Sequence, residues 1–221
     1  MSRPVHRREF GRTLLATTTA LLGCSPSARV HPGDAGDEDT SSVDAETGLE
    51  CPTGPRPPLT KQPMPSIALS AYFGGRGAFR EGTLCEYYDP DGTRGIHALL
   101  IVVSAVWCGP CNEYTPWLQA NFGPYLARGA RLLDLLVEDG FHKPPKQATV
   151  DQWIERHALT ADAGLASPAD FFYAGKENYP TSYIVDPRTM ALTAKRGGFD
   201  LTILPNPSLV AVDELLVKNG H

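Results

Sequence analysis

Two cysteines separated by two residues, Cys108 and Cys111, form the most reactive group in the sequence, within the run WCGPC at 107–111. A pair at this spacing can close into a disulfide and open again, so it can exchange electrons with thiols of another molecule. The apolar run 97–106 before it predicts a buried strand, and a helix is predicted over about 111–126. Cys108 would then lie at the N-terminus of that helix, where free N–H groups and the helix dipole stabilise a thiolate.

The two cysteines have different predicted roles in such an exchange. Cys108 is the nucleophile that attacks a disulfide of the partner, and Cys111, one helical turn further on, resolves the mixed disulfide and releases the partner. Half of a zinc site is one alternative, but the sequence has no second cysteine pair or Cys/His pair with ligand spacing, so no metal is expected. An inert structural disulfide is the other alternative, and the Gly-Pro spacer after Trp107 favours redox chemistry instead.

The pattern of apolar residues predicts the elements that must position this junction. After the first strand and helix, the pattern predicts a strand over 131–138 and a helix over 149–157. A hairpin of two strands, 181–186 and 191–196, and a closing helix over 208–218 follow. The order is therefore β-α-β-α-β-β-α, which is an α/β arrangement.

These motifs and this order resemble the thioredoxin-like superfamily. WCGPC is the thioredoxin active-site sequence, and SAVWCGPC at 104–111 resembles its TlpA/ResA-type branch, the thiol–disulfide oxidoreductases of the bacterial envelope. The resemblance covers about 66–221 and implies a thioredoxin-like fold. That fold has a central mixed sheet flanked by helices, here with an N-terminal extension and a helical insertion within 139–178. The resemblance also implies that three residues support the active site, namely Trp107, Gly109 and Pro110.

The segment YPTSYIVD at 179–186 resembles the cis-proline segment of this superfamily. By that likeness Pro180 has a cis peptide bond and faces Cys108. The likeness also implies that the backbone of Tyr179 and of Thr181 pairs with a substrate strand. An ordinary trans turn proline is the alternative, since only about 5–6% of X-Pro bonds are cis.

One position departs from the pattern of the superfamily. Thioredoxins usually carry a buried acid six residues ahead of the first cysteine, where it is thought to assist deprotonation of the resolving cysteine. That position is Val102 here. Without this acid, Cys111 needs another base, water or a slower route. The nearest candidates for that base in the sequence are Glu113, Asp134 and Glu138, and a solvated or strand-end charge is the ordinary interpretation of each.

The first 24 residues are typical of a cleaved export signal. A basic segment with Arg7 and Arg8 precedes a short apolar run, and Leu-Leu-Gly then leads to Cys24. These motifs resemble a twin-arginine signal and a bacterial lipobox, which implies that Cys24 carries a lipid. We therefore expect a lipid-anchored protein of the bacterial cell envelope that faces the periplasm, with the outer membrane favoured by Ser25. An amphipathic helix with an incidental cysteine is the alternative.

Residues 25–65 are predicted to be a tether between this signal and the folded domain at 66–221. The tether is acidic and then Pro-rich, with seven acids and no lysine or arginine between residues 30 and 55. It has few apolar residues to offset the entropy lost on ordering. From Arg56 onward 17 acids face 15 bases, so the domain has no basic stripe and nucleic acid is excluded as a partner.

The two remaining cysteines, Cys51 and Cys85, are predicted to form a structural disulfide. Leftover cysteines in an oxidising compartment usually pair, and this bond would join the end of the tether to the front of the domain. The alternative is that Cys85 exchanges with the active-site pair as an internal relay.

The predicted function is that of a thiol–disulfide oxidoreductase without a cofactor, acting on the thiols and disulfides of exported proteins. The Gly-Pro spacer resembles that of reducing thioredoxins, near about −270 mV, which favours reduction and implies a membrane electron donor or acceptor. One alternative is a thiol peroxidase of the peroxiredoxin or glutathione peroxidase type. Another is a non-enzymatic lipoprotein that binds a partner or copper.

Overall fold

A computed structural model describes residues 50–75, 77–172, 178–200 and 202–221. The strands are β1 Ala68–Tyr72, β2 Phe79–Thr83, β3 Ala98–Ala105, β4 Ala130–Glu138, β5 Asp162–Leu165, β6 Thr181–Asp186 and β7 Ala191–Gly197. The helices are α1 Gly109–Asn121, α2 Gly123–Leu126, α3 Gln147–His157 and α4 Pro207–Lys218. Within the described residues, no helix combines the length and the apolar character that a membrane crossing requires.

The strands form one mixed sheet in the order β2-β1-β5-β4-β3-β6-β7. Near its centre, β3 runs parallel to β4 and antiparallel to β6, and β4 runs parallel to β5. All eight residues of β3 are buried, as expected of a continuous apolar strand that is covered on both faces. The end of β3 is therefore a fixed point from which α1 begins.

The two faces of the sheet are covered differently. On one face, Leu100 and Val102 of β3 pack with residues of α1 and α4, and Leu136 of β4 packs with residues of α1 and α3. On the other face, Leu99 and Ile101 of β3 belong to a cluster with Met64 and Ile67 of the N-terminal segment and with the short 3₁₀ turn Leu84–Tyr87. The helices that carry the candidate chemistry thus lie on a single face.

The sequence of elements β3-α1-β4-α3-β6-β7-α4 is the order predicted from the sequence. The predicted α/β class, a central mixed sheet flanked by helices, is confirmed. The hairpin β1-β2 and the strand β5 were not predicted. The stretch 139–178, expected to hold a helical insertion, contains α3 and also β5, which pairs with both β4 and β1.

Residues 51–65, assigned by the sequence to the tether, lie against the domain in the structure. Met64 is buried, and its N–H donates to the carbonyl oxygen of Met190 at 2.7 Å. The N–H of Gly54 donates in turn to the carbonyl oxygen of Met64 at 3.1 Å. The compact part of the chain therefore begins before residue 66, because backbone pairing holds the Pro-rich stretch in place. The predicted signal, including Cys24, lies outside the described residues.

Candidate active site

The junction between β3 and α1 places Cys108 at the N-cap of the helix. Its Sγ accepts a hydrogen bond from the backbone N–H of Cys111 at 3.0 Å. The two cysteines are joined in a disulfide with their Cα atoms 5.3 Å apart. Gly109 and Pro110 occupy the first turn, where proline costs no helical hydrogen bond because the first N–H groups have no partner within the helix. A sulfur that caps a helix is stabilised as a thiolate when the disulfide opens.

The cysteine pair is buried against the protein core, whereas the residues between the two cysteines are exposed at the first turn of α1. Cys108 is 3% exposed and Cys111 is fully buried, whereas Gly109 and Pro110 are exposed. Both sulfur-bearing residues belong to a cluster with Leu136 of β4 and three residues of α3 and the chain after it, Val150, Trp153 and Leu159. Among the described residues, the first turn of α1 is therefore an exposed side from which an incoming molecule can approach the pair.

Trp107, the residue before Cys108, is held on the surface by three neighbours. Its indole N–H donates to Oε2 of Glu138 at 2.6 Å. The ring of His142 lies 4.5 Å from its ring, and the ring of Tyr179 lies edge-on at 5.7 Å. Although 43% of Trp107 is exposed, its orientation beside Cys108 is thus fixed by the end of β4, the following loop and the segment before β6.

The Tyr179–Pro180 peptide bond is cis, and this segment adjoins the cysteine pair. Tyr179 packs against the cluster that contains Cys108 and Cys111. The carbonyl oxygen of Pro180 accepts a hydrogen bond from the N–H of Gly198 at 2.8 Å. Thr181 is almost fully buried at the start of β6, between β3 and β7. Of the predicted substrate-binding residues, Tyr179 therefore lies beside the pair, while Thr181 lies within the sheet.

Asp134, one of the three acids that the sequence offers as a base for Cys111, is buried under α1 in the structure. It is 4% exposed, and its Oδ2 accepts hydrogen bonds from Oγ1 of Thr115 and from the indole N–H of Trp153, both at 3.1 Å. Burial raises the pKa of Asp134 to about 6, although its hydrogen bonds favour the ionised form. The signal available in the sequence was a single acid inside the apolar run of β4. The other two candidate acids differ, since Glu113 is exposed and Glu138 binds Trp107.

Cys51 and Cys85 are joined in a second disulfide, with their Cα atoms 5.9 Å apart. Cys51 packs against the core cluster on the face of the sheet opposite α1. Cys108 and Cys111 belong to a different cluster. This arrangement favours a structural bond over an internal relay. Within the described parts of the chain, no group of three or more His, Cys, Asp or Glu side chains is placed to hold a metal ion.

No protein-family model matches the sequence, and no curated protein matches it. Solved structures do resemble it. A putative thiol:disulfide interchange protein DsbE from Chlorobium tepidum has a TM-score of 0.53 at 16% identity, covering 73% of this chain and 98% of that chain. A thioredoxin-like protein from Porphyromonas gingivalis has a TM-score of 0.51 at 18% identity, and the match covers 74% of this chain and 97% of that chain. A putative protein disulfide isomerase from Bacteroides thetaiotaomicron has a TM-score of 0.52 at 14% identity, and the match covers 72% of this chain and 91% of that chain. The fold is therefore thioredoxin-like.

Proposed function

We propose that the protein is a thiol–disulfide oxidoreductase that works through Cys108 and Cys111. One observation carries the proposal: the two sulfurs are bonded at the N-terminus of α1, with the Sγ of Cys108 accepting the N–H of Cys111. The N–H of Cys111, which has no partner within the helix, donates to this sulfur and stabilises Cys108 as a thiolate. Cys108 is therefore both a nucleophile and a good leaving group. The names of two solved structures that share the fold, an interchange protein and a disulfide isomerase, support the same chemistry.

In the reducing direction, the reaction begins with the pair as free thiols. The Cys108 thiolate attacks one sulfur of the substrate disulfide, forming a mixed disulfide and releasing the other substrate sulfur, which takes up a proton. The Cys111 thiol then loses its proton, and its sulfur attacks Cys108. The mixed disulfide breaks and the second substrate thiol leaves. Two electrons have passed to the substrate, and the Cys108–Cys111 disulfide must be reduced again by a donor.

We further propose that the substrates are disulfides of exported proteins, because the sequence begins with features of a lipoprotein signal. In this proposal Cys24 carries the lipid, and residues 25–50 tether a domain that faces the periplasm, with the outer membrane favoured. The reducing direction is proposed from the Gly-Pro spacer between the cysteines. The donor or acceptor that resets the pair is then a membrane protein.

A redox titration of the full-length protein tests the function. The protein is equilibrated in glutathione and dithiothreitol buffers and followed by tryptophan fluorescence, with Trp107 as the reporter next to Cys108. A cooperative two-electron transition near about −270 mV means a reductant, and one above about −200 mV means an oxidant or isomerase. A Cys108→Ser variant is the control and should show no transition. A wild type that behaves like this control would overturn the proposal and favour a protein that only binds a partner, whereas rapid peroxide turnover would favour a thiol peroxidase.

A further inference from the structure

The buried face of the sheet beneath α1 carries an ionisable side chain, that of Asp134. Asp134 lies on β4 directly opposite Val102 on β3, with apolar neighbours on either side along the strand. One of its oxygens, Oδ2, has two donors, Thr115 and Trp153. The other oxygen, Oδ1, is buried and accepts no hydrogen bond of normal geometry among the described residues, although the Ser104 hydroxyl on β3 faces the carboxylate and favours its ionised form. A buried polar atom without such a bond costs free energy and calls for an explanation.

Three neighbours of this carboxyl group, Thr115, Leu136 and Trp153, place it on the side of the sheet that Cys111 faces. Thr115 follows Cys111 by four residues on α1, so the two side chains project from the same face of the helix. Leu136 follows Asp134 by two residues on β4, so these two project from the same face of the sheet. Leu136 and Cys111 share one buried cluster. Trp153 belongs to that cluster too, and its indole N–H binds Asp134.

We propose that Asp134 accepts the proton of the Cys111 thiol when Cys111 resolves a mixed disulfide. This inference rests on the proposed oxidoreductase function. The thiol proton passes to the carboxylate of Asp134, the Cys111 sulfur attacks Cys108, and the bond between Cys108 and the substrate sulfur breaks. The substrate leaves as a thiolate and takes a proton from water. Asp134 returns its proton to the Cys111 thiolate when a donor reduces the pair again, so that charge and protons balance over the cycle.

The electrostatic surroundings suit this role. A general base works best when its pKa is near the working pH, and burial raises the pKa of Asp134 to about 6. Few other ionisable groups face it. Tyr114 on α1 is buried with a raised pKa, to which the charge of Asp134 contributes. His157 on α3 packs its ring 4.2 Å from that of Trp153, and burial lowers its pKa.

The remaining two strands bring no charge to Asp134. On β3, Ser104 is buried on the same face of the sheet, and its uncharged hydroxyl favours the ionised form of Asp134. On β5, Ala163 is the residue that pairs with Asp134, whereas its neighbour Asp162 belongs to the opposite face and binds Tyr87. Asp162 is thus a second largely buried aspartate of the same sheet that does not face Cys111, and it serves as the matched control.

The two cysteine steps can be timed separately with Ellman's reagent. The full-length protein carries Cys24→Ser to remove that thiol, and one equivalent of dithiothreitol reduces the active-site pair. Attack by Cys108 releases a first thionitrobenzoate and leaves a mixed disulfide, and attack by Cys111 then releases a second. A Cys111→Ser variant should show only the first release. Both rates are measured as a function of pH.

In the wild type, the rate of the second release should rise with a midpoint near the pKa of Asp134. In Asp134→Asn it should be at least about tenfold slower at neutral pH, where only a few per cent of an unassisted cysteine is ionised. It should then rise only toward about pH 8.5, where a free cysteine ionises without help. The first release should change less than twofold, and Asp162→Asn should leave both releases unchanged.

A second release with the same pH profile in wild type and Asp134→Asn would overturn the inference while leaving the oxidoreductase intact. Absence of even the first release in the wild type would instead overturn the proposed function. If Asp134→Asn does not fold, Thr115→Val decides the question. Loss of this donor disfavours the ionised carboxylate, so the midpoint of the second release should move to higher pH, and an unmoved midpoint would count against the role of Asp134.

Discussion

The indole N–H of Trp107 donates a hydrogen bond to Oε2 of Glu138 at 2.6 Å. This bond joins the residue before the reactive Cys108 to the end of the neighbouring strand β4. His142, four residues after Glu138, lies 3.3 Å from the same carboxylate oxygen through Nδ1, and its ring contacts Trp107. An exposed aromatic ring that would otherwise sample several rotamers is thereby held beside the cysteine pair.

Replacing Glu138 by alanine should release Trp107 and lower the rate of reduction of a protein disulfide such as that of insulin. We expect kcat/KM to fall about threefold to tenfold, because positioning next to a reacting group contributes strongly to rates. Glu138→Gln keeps an acceptor for the indole and should retain most of the activity. Glu113→Ala removes an exposed acid of α1 and is the control. Equal losses in Glu138→Ala and Glu113→Ala would show that the bond to Trp107 is not used.

Removing the second disulfide should weaken the fold and leave the redox pair intact. The Cys51–Cys85 bond closes a loop over a sequence separation of 34, for which loop entropy gives about 3–4 kcal/mol. The Cys51→Ser, Cys85→Ser variant should lose that much free energy of unfolding in urea. Its reduction potential should match that of the wild type. A shifted potential would mean instead that this disulfide exchanges electrons with the active-site pair.

The strand β5 depends on a glycine that faces the neighbouring strand closely. A Cβ atom at Gly164 would lie 2.5 Å from Cβ of Ala71 and 2.6 Å from the carbonyl oxygen of Ser70. Gly164→Ala should therefore lower the free energy of unfolding by about 1–3 kcal/mol, as overpacking does in cores. Gly123→Ala at the start of α2 meets nothing within 4 Å and should be neutral or stabilising. Equal stability of the two variants would contradict this packing of β5 on β1.

The elements around the active site could be predicted because their signals are local. The apolar run before Cys108 and the Gly-Pro after it define a strand and a helix start, and the structure has β3 at Ala98–Ala105 and α1 from Gly109. The helix was expected to run to residue 126, but it ends at Asn121, and Phe122 separates it from α2. Gly123 and Pro124 follow this break, and a proline there removes a helical hydrogen bond.

The remaining features depend on contacts between distant residues. The strand β5 is only four residues long, Asp-Ala-Gly-Leu, without a β-branched side chain, so only its pairing with β4 and β1 makes it a strand. The burial of Asp134 depends likewise on Trp153, 19 residues further along the chain, which covers it and donates to it. The residues next to Asp134 and those next to Trp153 in the sequence do not indicate that the two side chains meet.

Asp134 should reduce the stability of the fold at neutral pH. Its pKa is raised from an ordinary value near 4 to about 6. As the pH rises, the unfolded state therefore loses this proton before the folded state does. The contribution of this group to stability is therefore greatest below about pH 4 and is lost as the pH rises through 6. Asparagine has no such titration. Asp134→Asn should accordingly unfold less readily than the wild type at pH 8, by up to about 3 kcal/mol for a shift of two units.

Urea unfolding of wild type and Asp134→Asn between pH 4 and pH 8 measures this difference directly. The gain in stability should disappear toward pH 4, where the folded state is protonated and the unfolded state begins to take up the same proton. A variant of unchanged or lower stability at pH 8, with the same pH dependence as the wild type, would contradict a raised pKa. A gain in stability together with a slower second step would mean that the fold retains a destabilising acid because the chemistry of Cys111 uses it, a trade-off between stability and activity.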